Sequence, residues 1–211
     1  DGPLSRPLET AERILGPKGM RSRGQFLPLV PAPPVQEALP ALANWLDSEG
    51  TKDLLAIGPL TNLALAYQSF PDKLQRLRTL TWMGGSRAKG NHTEHAEYNA
   101  FADADALSTV LQHGAPLRVV DLELCRQVTF GPADAPVLED GLLADLLGGY
   151  LDIALSRGRE RMAIYDPIAA LAVVQPSLIK FERVNLSVHT ENDSRYGQTE
   201  FNFVQPPNAS I

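Results

Sequence analysis

The chain has 211 residues, 44% of them hydrophobic and 21% charged. These are ordinary globular proportions, with room for one well-buried α/β domain. A formal net charge of −6, with no basic stripe, argues against a nucleic-acid partner and for a small polar substrate. No apolar run approaches the ~18 residues that cross a bilayer, which argues against a membrane partner.

The first 34 residues are rich in Pro, Gly and Arg and read as irregular surface structure, with one short helix over 10–15. Val35, Ala38, Leu39, Leu42, Trp45 and Leu46 recur at helical spacing and predict an amphipathic helix over 35–48. Pro40 conflicts with an uninterrupted helix: either the helix starts late or it kinks there. A rhythm of strands and helices follows. Strands are expected over 53–57, 79–83 and 117–120, and helices over 60–67, 102–112 and 142–156. Alternation of this kind predicts an open, mostly parallel, Rossmann-like sheet with helices on both faces. The apolar runs 181–189 and 198–203 flank a polar turn, 191–197, and predict a C-terminal hairpin. The one cysteine, Cys125, excludes an intrachain disulfide and suits a reducing compartment, here expected to be the cytoplasm. It reads as a small packed hydrophobe more than as a nucleophile.

In open α/β sheets, ligands bind beyond the carboxyl ends of the strands. Three expected strand ends are therefore of interest: Ile57-Gly58-Pro59, Met83-Gly84-Gly85 and Asp121. At the first, Gly58 ends the strand and Pro59 presets φ for the first helical turn, leaving the Ile57 carbonyl free to meet a hard cation. The plainer alternative is an ordinary strand-to-helix turn. At the second, two glycines permit close backbone approach to a ligand, or simply form a loop. Beyond it, the segment 90–99 holds Asn91, Glu97 and Asn99, whose amide and carboxylate groups suit sugar hydroxyls. His92 and His95 lack the context of a zinc site. Asp166-Pro167 opens an apolar helical run, with Asp166 read either as N-cap before Pro at N1 or as a metal carboxylate.

Taken in order, these segments resemble the inosine-uridine nucleoside hydrolases. Ala56 to Ala66 resembles their GPLTN segment, and Met83-Gly84-Gly85 their MGG. Gly90-Asn91 through Asn99, with Ala102 to Ala106, resembles GN…AEFN…DPEAA. Tyr165-Asp166-Pro167-Ile168-Ala169 resembles (H)DPLA. The resemblance implies hydrolysis of the N-glycosidic bond of ribonucleosides, a bound Ca²⁺, and assembly as a homodimer or homotetramer. It implies that the Ile57 carbonyl and Asp166 ligate the metal, that Asn91, Glu97 and Asn99 bind ribose hydroxyls, and that Met83 packs against the sugar. Tyr165 stands where the inosine-uridine type carries His, so its expected part is a stacking surface for the base rather than its proton donor.

The resemblance also implies a single domain over 1–211, incomplete at both ends. The family's DxDxGxDD cluster, source of further metal carboxylates and the general base, has no counterpart here, since Asp1-Gly2 does not match it. Residues 15–19 lack the His-Gly pair often found there. These departures keep a second reading open, a relative that binds ribosides or retains only the scaffold. A dinucleotide-binding domain is disfavoured because no strand is followed by G-x-G-x-x-G.

Overall fold

The computed structural model describes residues 34–134 and 141–203, and the backbone of 209–210. The expectations for 1–33, including the helix over 10–15, lie outside the described residues. Two compact units emerge: one takes 36–125 and the chain from 165 onward, the other takes 126–164.

In the larger unit, helix α1 (Ala38–Asp47) precedes strand β1 (Lys52–Ala56). The helix starts late, which resolves the conflict at Pro40: proline sits in the first turn, where a backbone N–H has no intrahelical acceptor anyway. Helices α2 (Thr61–Ser69) and α3 (Pro71–Leu74) lead to β2 (Leu77–Met83). Pro59 falls before the N-cap, Leu60, so it shapes the approach to α2 and not its first turn. Leu77, Leu80, Trp82 and Met83 on β2 are all buried, and so is Thr81 between them. Burial on alternate sides is expected of a strand inside a parallel sheet.

The helix expected over 102–112 is α5 (Ala104–Gln112), which starts two residues later, and a short helix not foreseen, α4 (Tyr98–Ala102), precedes it. Asp103 separates them with φ −154° and ψ 77°, outside the helical region. Its carboxylate accepts from Ala106 N at 3.0 Å and from Thr61 Oγ1 at 2.6 Å. One buried Asp therefore caps α5 and ties it to the start of α2, which explains locally why Thr61 and Asp103 belong to the two motifs they occupy.

Strand β3 (Leu117–Val120) is followed by a helix not foreseen from the sequence, α6 (Leu122–Gln127). In the smaller unit, β4 (Thr129–Phe130) pairs antiparallel with β5 (Met162–Ala163), and α7 (Gly141–Leu155) supplies Leu151 and Ala154 to a cluster with Phe130 and Met162. The larger unit resumes with α8 (Asp166–Val174), then β6 (Arg183–Val188), β7 (Thr199–Asn202) and β8 (Ala209–Ser210). The sheet runs β1-β2-β3-β8-β6-β7. Strands β1, β2 and β3 are parallel, and β6 and β7 form the expected antiparallel hairpin. Strand β8 joins the two parts, parallel to β3 and antiparallel to β6.

The main core gathers Leu63, Tyr67, Leu80, Trp82, Leu107, Val110 and Val119 from α2, β2, α5 and β3. Helix α8 packs against β1, β2 and β3. The carboxyl ends of the parallel strands thus meet the first turn of α8 within one unit. Asp103→Ala should cost about 2 kcal/mol, roughly 1 for the lost cap and roughly 1 for the buried Thr61 bond. Urea denaturation should show this loss, with Asp103→Asn retaining most of the stability.

Candidate active site

The site grows from the end of β2. After Met83 the chain makes a tight exit through Gly84 and Gly85. A Cβ on Gly84 would lie 2.1 Å from the Trp82 ring, and Gly85 has φ +74°. The first position has no space for a side chain and the second favours glycine by conformation. Beyond them the chain folds back on itself, with Gly90 N bonded to Glu94 O at 2.9 Å and His92 N to Ala96 O at 3.2 Å. This return brings Glu97 beside Gly85.

Glu97 is 2% exposed. Its Oε2 accepts from Gly85 N and from Ala100 N, each at 3.0 Å, and the Asn99 N–H also bonds to the carboxylate. Glu97 is thereby the N-cap of α4 and a tether for the glycine loop. Burial raises its pKa to about 7 against the pull of those three N–H groups, and the charge of Asp166 raises it further. An ionised carboxylate has about four lone-pair sites, so acceptor capacity remains for a hydroxyl.

Asn99 is also buried. Its amide nitrogen donates to Met83 O at 2.9 Å and approaches Met83 Sδ at 3.6 Å. The amide orientation so fixed leaves Oδ1 as the acceptor for a ligand donor. Asn91 is exposed, with Oδ1 accepting from Tyr98 N at 2.9 Å. The structure thus brings Met83, Glu97 and Asn99 into direct contact or one hydrogen bond of each other, and binds Asn91 to α4 beside them. His92 belongs to aromatic packing, its ring centroid 4.3 Å from that of Phe101.

Asp166 corrects one expectation. The N-cap of α8 is Tyr165, with no side-chain cap; Asp166 and Pro167 occupy the first two helical positions. The Asp166 carboxylate is therefore not the helix cap. Among the described residues it accepts no hydrogen bond and pairs with no basic group. Solvent reaches the residue, yet the protein around the carboxyl raises its pKa by desolvation. Cys125 feels the charges of Asp121, Glu97 and Asp166 together, and with burial they push its thiol up to about 12. That makes Cys125 a packed, inert group, raised first by its burial and then by these carboxylates. Tyr165 is half-buried, and its carbonyl takes the Ile168 N–H at 3.0 Å. Ile57 directly follows β1 with its side chain 51% exposed. The turn there is pinned by Trp82 Nε1 donating to Gly58 O at 3.0 Å.

Sequence reasoning singled out the Asp121 strand end but missed Glu123 and Thr199, polar groups that meet the same loop. Asp121 and Glu123, just past β3, bond to Ser86 and Arg87, just past β2, and Thr199 of β7 bonds to Ser86. The one available signal was the position of Asp121 at a strand end.

This chain matches the model of the inosine-uridine preferring nucleoside hydrolases over residues 1–211. It belongs to that family. The non-specific ribonucleoside hydrolase RihC of Salmonella schwarzengrund (strain CVM19633) is 30% identical over 219 residues, 99% of this chain and 70% of that protein. Among solved structures, the plant nucleoside hydrolase PpNRh1 enzyme superposes with a TM-score of 0.83 at 23% identity, covering 94% of this chain and 64% of that one. A purine-preferring ribonucleoside hydrolase from Gardnerella vaginalis superposes with a TM-score of 0.84 at 21% identity, covering 99% and 71%. At such identities the two structures speak for a shared fold, the nucleoside hydrolase fold. The chain thus spans a little under two thirds of the plant enzyme and 70% of the curated relative.

The buried Glu97 has a consequence for stability. Its folded-state pKa, about 7, stands above its ordinary value of 4.5, so the folded protein holds this proton more tightly than the unfolded chain. The contribution is complete below about pH 4.5 and is lost as pH rises through about 7. The urea midpoint should fall across that window, and Glu97→Gln should flatten the fall. Asp121 and Asp166, whose pKa values are also raised, should leave a residual slope of the same sign.

Proposed function

We propose that this protein hydrolyses the N-glycosidic bond of ribonucleosides, yielding ribose and free base. The observation that carries the reading is that Glu97 bonds Gly85 N and Asn99 bonds the Met83 carbonyl at the carboxyl end of β2, in a member of a nucleoside hydrolase family. Buried, preorganised acceptors can fix ribose hydroxyls while positive charge develops on the sugar ring. Asn99 contributes Oδ1, Glu97 its remaining acceptor capacity, and Asn91 a third polar group. Met83 offers a soft apolar surface to the sugar.

The expected metal is Ca²⁺, and the donors suit it in kind. Asp166 is a partly desolvated carboxylate without a described cationic partner, which is the condition in which a hard cation binds favourably. The main-chain carbonyl of Ile57 is a second oxygen of the right class. Ca²⁺ takes 6–8 oxygens, so these two form part of its shell. The chemistry supplied by the bound ion is Lewis-acid coordination of hydroxyl and water oxygens.

The substrate class is a ribonucleoside. No helix among the described residues is long and apolar enough to cross a membrane, and the single cysteine suits the cytoplasm. Val174 and Leu178, 72% and 64% exposed at the end of α8 and just beyond, favour a homo-oligomer.

Release of free base from inosine and uridine, followed by chromatography, tests this reading. The wild-type protein should release base in the presence of Ca²⁺. Asp166→Asn should lower kcat/KM at least about a hundredfold and weaken Ca²⁺ binding in a calorimetric titration. Riboside binding without any base release would favour the scaffold reading instead.

Tyr165 should act as a stacking surface for the base. A phenol with an ordinary pKa near ~10 is a poor acid at neutral pH, while its ring offers a flat apolar face. Tyr165→Phe should keep most of kcat/KM and Tyr165→Ala should lose much of it. A large fall in kcat for the Phe variant at unchanged KM would reassign Tyr165 to proton donation.

A further inference from the structure

We propose that Glu123 is a positioning residue for the ribose site: its carboxylate clamps the loop after β2 so that the Gly85 N–H stays aimed at Glu97. The inference rests on the functional reading above and deepens it.

The clamp is built from both carboxylate oxygens. Glu123 Oε2 accepts from Arg87 N at 2.7 Å, and Oε1 lies 3.0 Å from Ser86 Oγ, whose single proton is shared between it and Lys89 O, also at 3.0 Å. The carboxylate's bonds are charge-assisted and reach two successive residues of a loop, and such bonds are stronger than neutral ones. Asp121, two residues earlier and just before α6, completes the hold. Its Oδ1 accepts from Leu124 N at 3.0 Å, which fixes the carboxylate to the start of α6, and its Oδ2 pairs with Arg87 Nε. Ser86 is also held from the opposite side. Thr199 Oγ1 accepts from Ser86 N at 2.9 Å and donates to Ser86 O at 3.0 Å.

Three side chains from two places, the start of α6 and strand β7, therefore converge on Ser86 and Arg87, neither of which belongs to the ribose set. Their common effect lies one residue upstream. Gly85, in its left-handed conformation, is the residue most able to change φ and ψ, since glycine has the least steric restriction. Gly84 N donates to Val120 O at 3.2 Å and Gly85 O accepts from Leu122 N at 3.1 Å, so the chain is held just before and at Gly85, and the clamp at Ser86 and Arg87 fixes the following side. Loss of the Gly85–Glu97 bond would leave Glu97 with one donor fewer and loosen the Met83–Gly85 backbone on which Asn99 also relies. The effect on substrate passes entirely through Gly85, so Glu123 acts by positioning and not by contact.

The test compares Glu123→Ala and Glu123→Gln with wild type in two measurements. Amide hydrogen exchange should show the Gly85 N–H exchanging at least about tenfold faster in Glu123→Ala, while amides of β1 keep their protection. Glu123→Gln, which can still accept from Ser86 or Arg87, should restore most of the protection. With ribonucleoside substrate, kcat/KM should fall about tenfold in the Ala variant and recover in the Gln variant. A purely structural role predicts a lower urea midpoint and faster exchange throughout the unit, with kcat/KM of the folded fraction unchanged. Unchanged Gly85 exchange in Glu123→Ala overturns the proposal. So does unchanged kcat/KM where the wild type is active. If the wild type releases no base, the functional reading fails by itself, and the Gly85 exchange still decides whether Glu123 positions the loop.

Discussion

The buried carboxylate of Glu97 is the joint on which the site's arrangement depends. It gathers N–H groups from two places, the glycine exit of β2 and the first turn of α4. Neither place could offer these groups to water, because both are buried, and an unmet buried N–H costs about 1–3 kcal/mol. The carboxylate satisfies them together and so fixes the distance between strand end and helix. Met83 and Asn99 then meet because their neighbours in sequence are already joined. The Asn99 amide closes the arrangement by bonding the Met83 carbonyl.

The same joint is costly in electrostatic terms. Glu97, Asp121 and Asp166 all have raised pKa values, led in each case by desolvation. Of the three, Asp121 is paired with a cation, Arg87. Excess negative potential at the carboxyl edge is unfavourable for the empty fold and favourable for a bound cation or for developing positive charge. A structure optimised for stability alone would replace such carboxylates with neutral acceptors. Their presence in one place is consistent with the ligand site proposed above.

Much of this was legible from local chemistry. The parallel strands showed as short apolar runs because strands buried on both faces carry apolar residues without alternation, as β2 does at Leu80-Thr81-Trp82-Met83. The hairpin showed through its polar turn. Helix boundaries were less legible where side chains override pattern. The helix expected from Ala102 begins at Ala104, because the Asp103 carboxylate caps it there. Asp166-Pro167 looked like a cap pair because those residues often are; the helix instead begins one residue earlier and frees the carboxylate. Met83, Asn91, Glu97 and Asn99 could be named because a family pattern groups them. Glu123 and Thr199 could not. Their partners Ser86 and Arg87 lie 36 or more residues away in sequence, and a Glu inside an amphipathic helix or a Thr in a strand looks ordinary until the fold brings it to its partner.

The two layers differ in what they require of the chain. The inner layer needs particular atoms: a carbonyl at Met83, an amide at Asn99, a carboxylate at Glu97. The outer layer needs only acceptors at the right distance from Ser86 and Arg87, and different side chains could supply them. Thr199 does so with a hydroxyl, Asp121 with a short carboxylate and Glu123 with a longer one. Gly85 links the layers, since its positive φ is what allows the loop to turn between them. The inner geometry is thus set by a backbone conformation, and that conformation is held from outside by groups that need not touch the ligand. On the proposed reading, the inner residues choose the ligand, while the outer hydrogen bonds keep those residues in position.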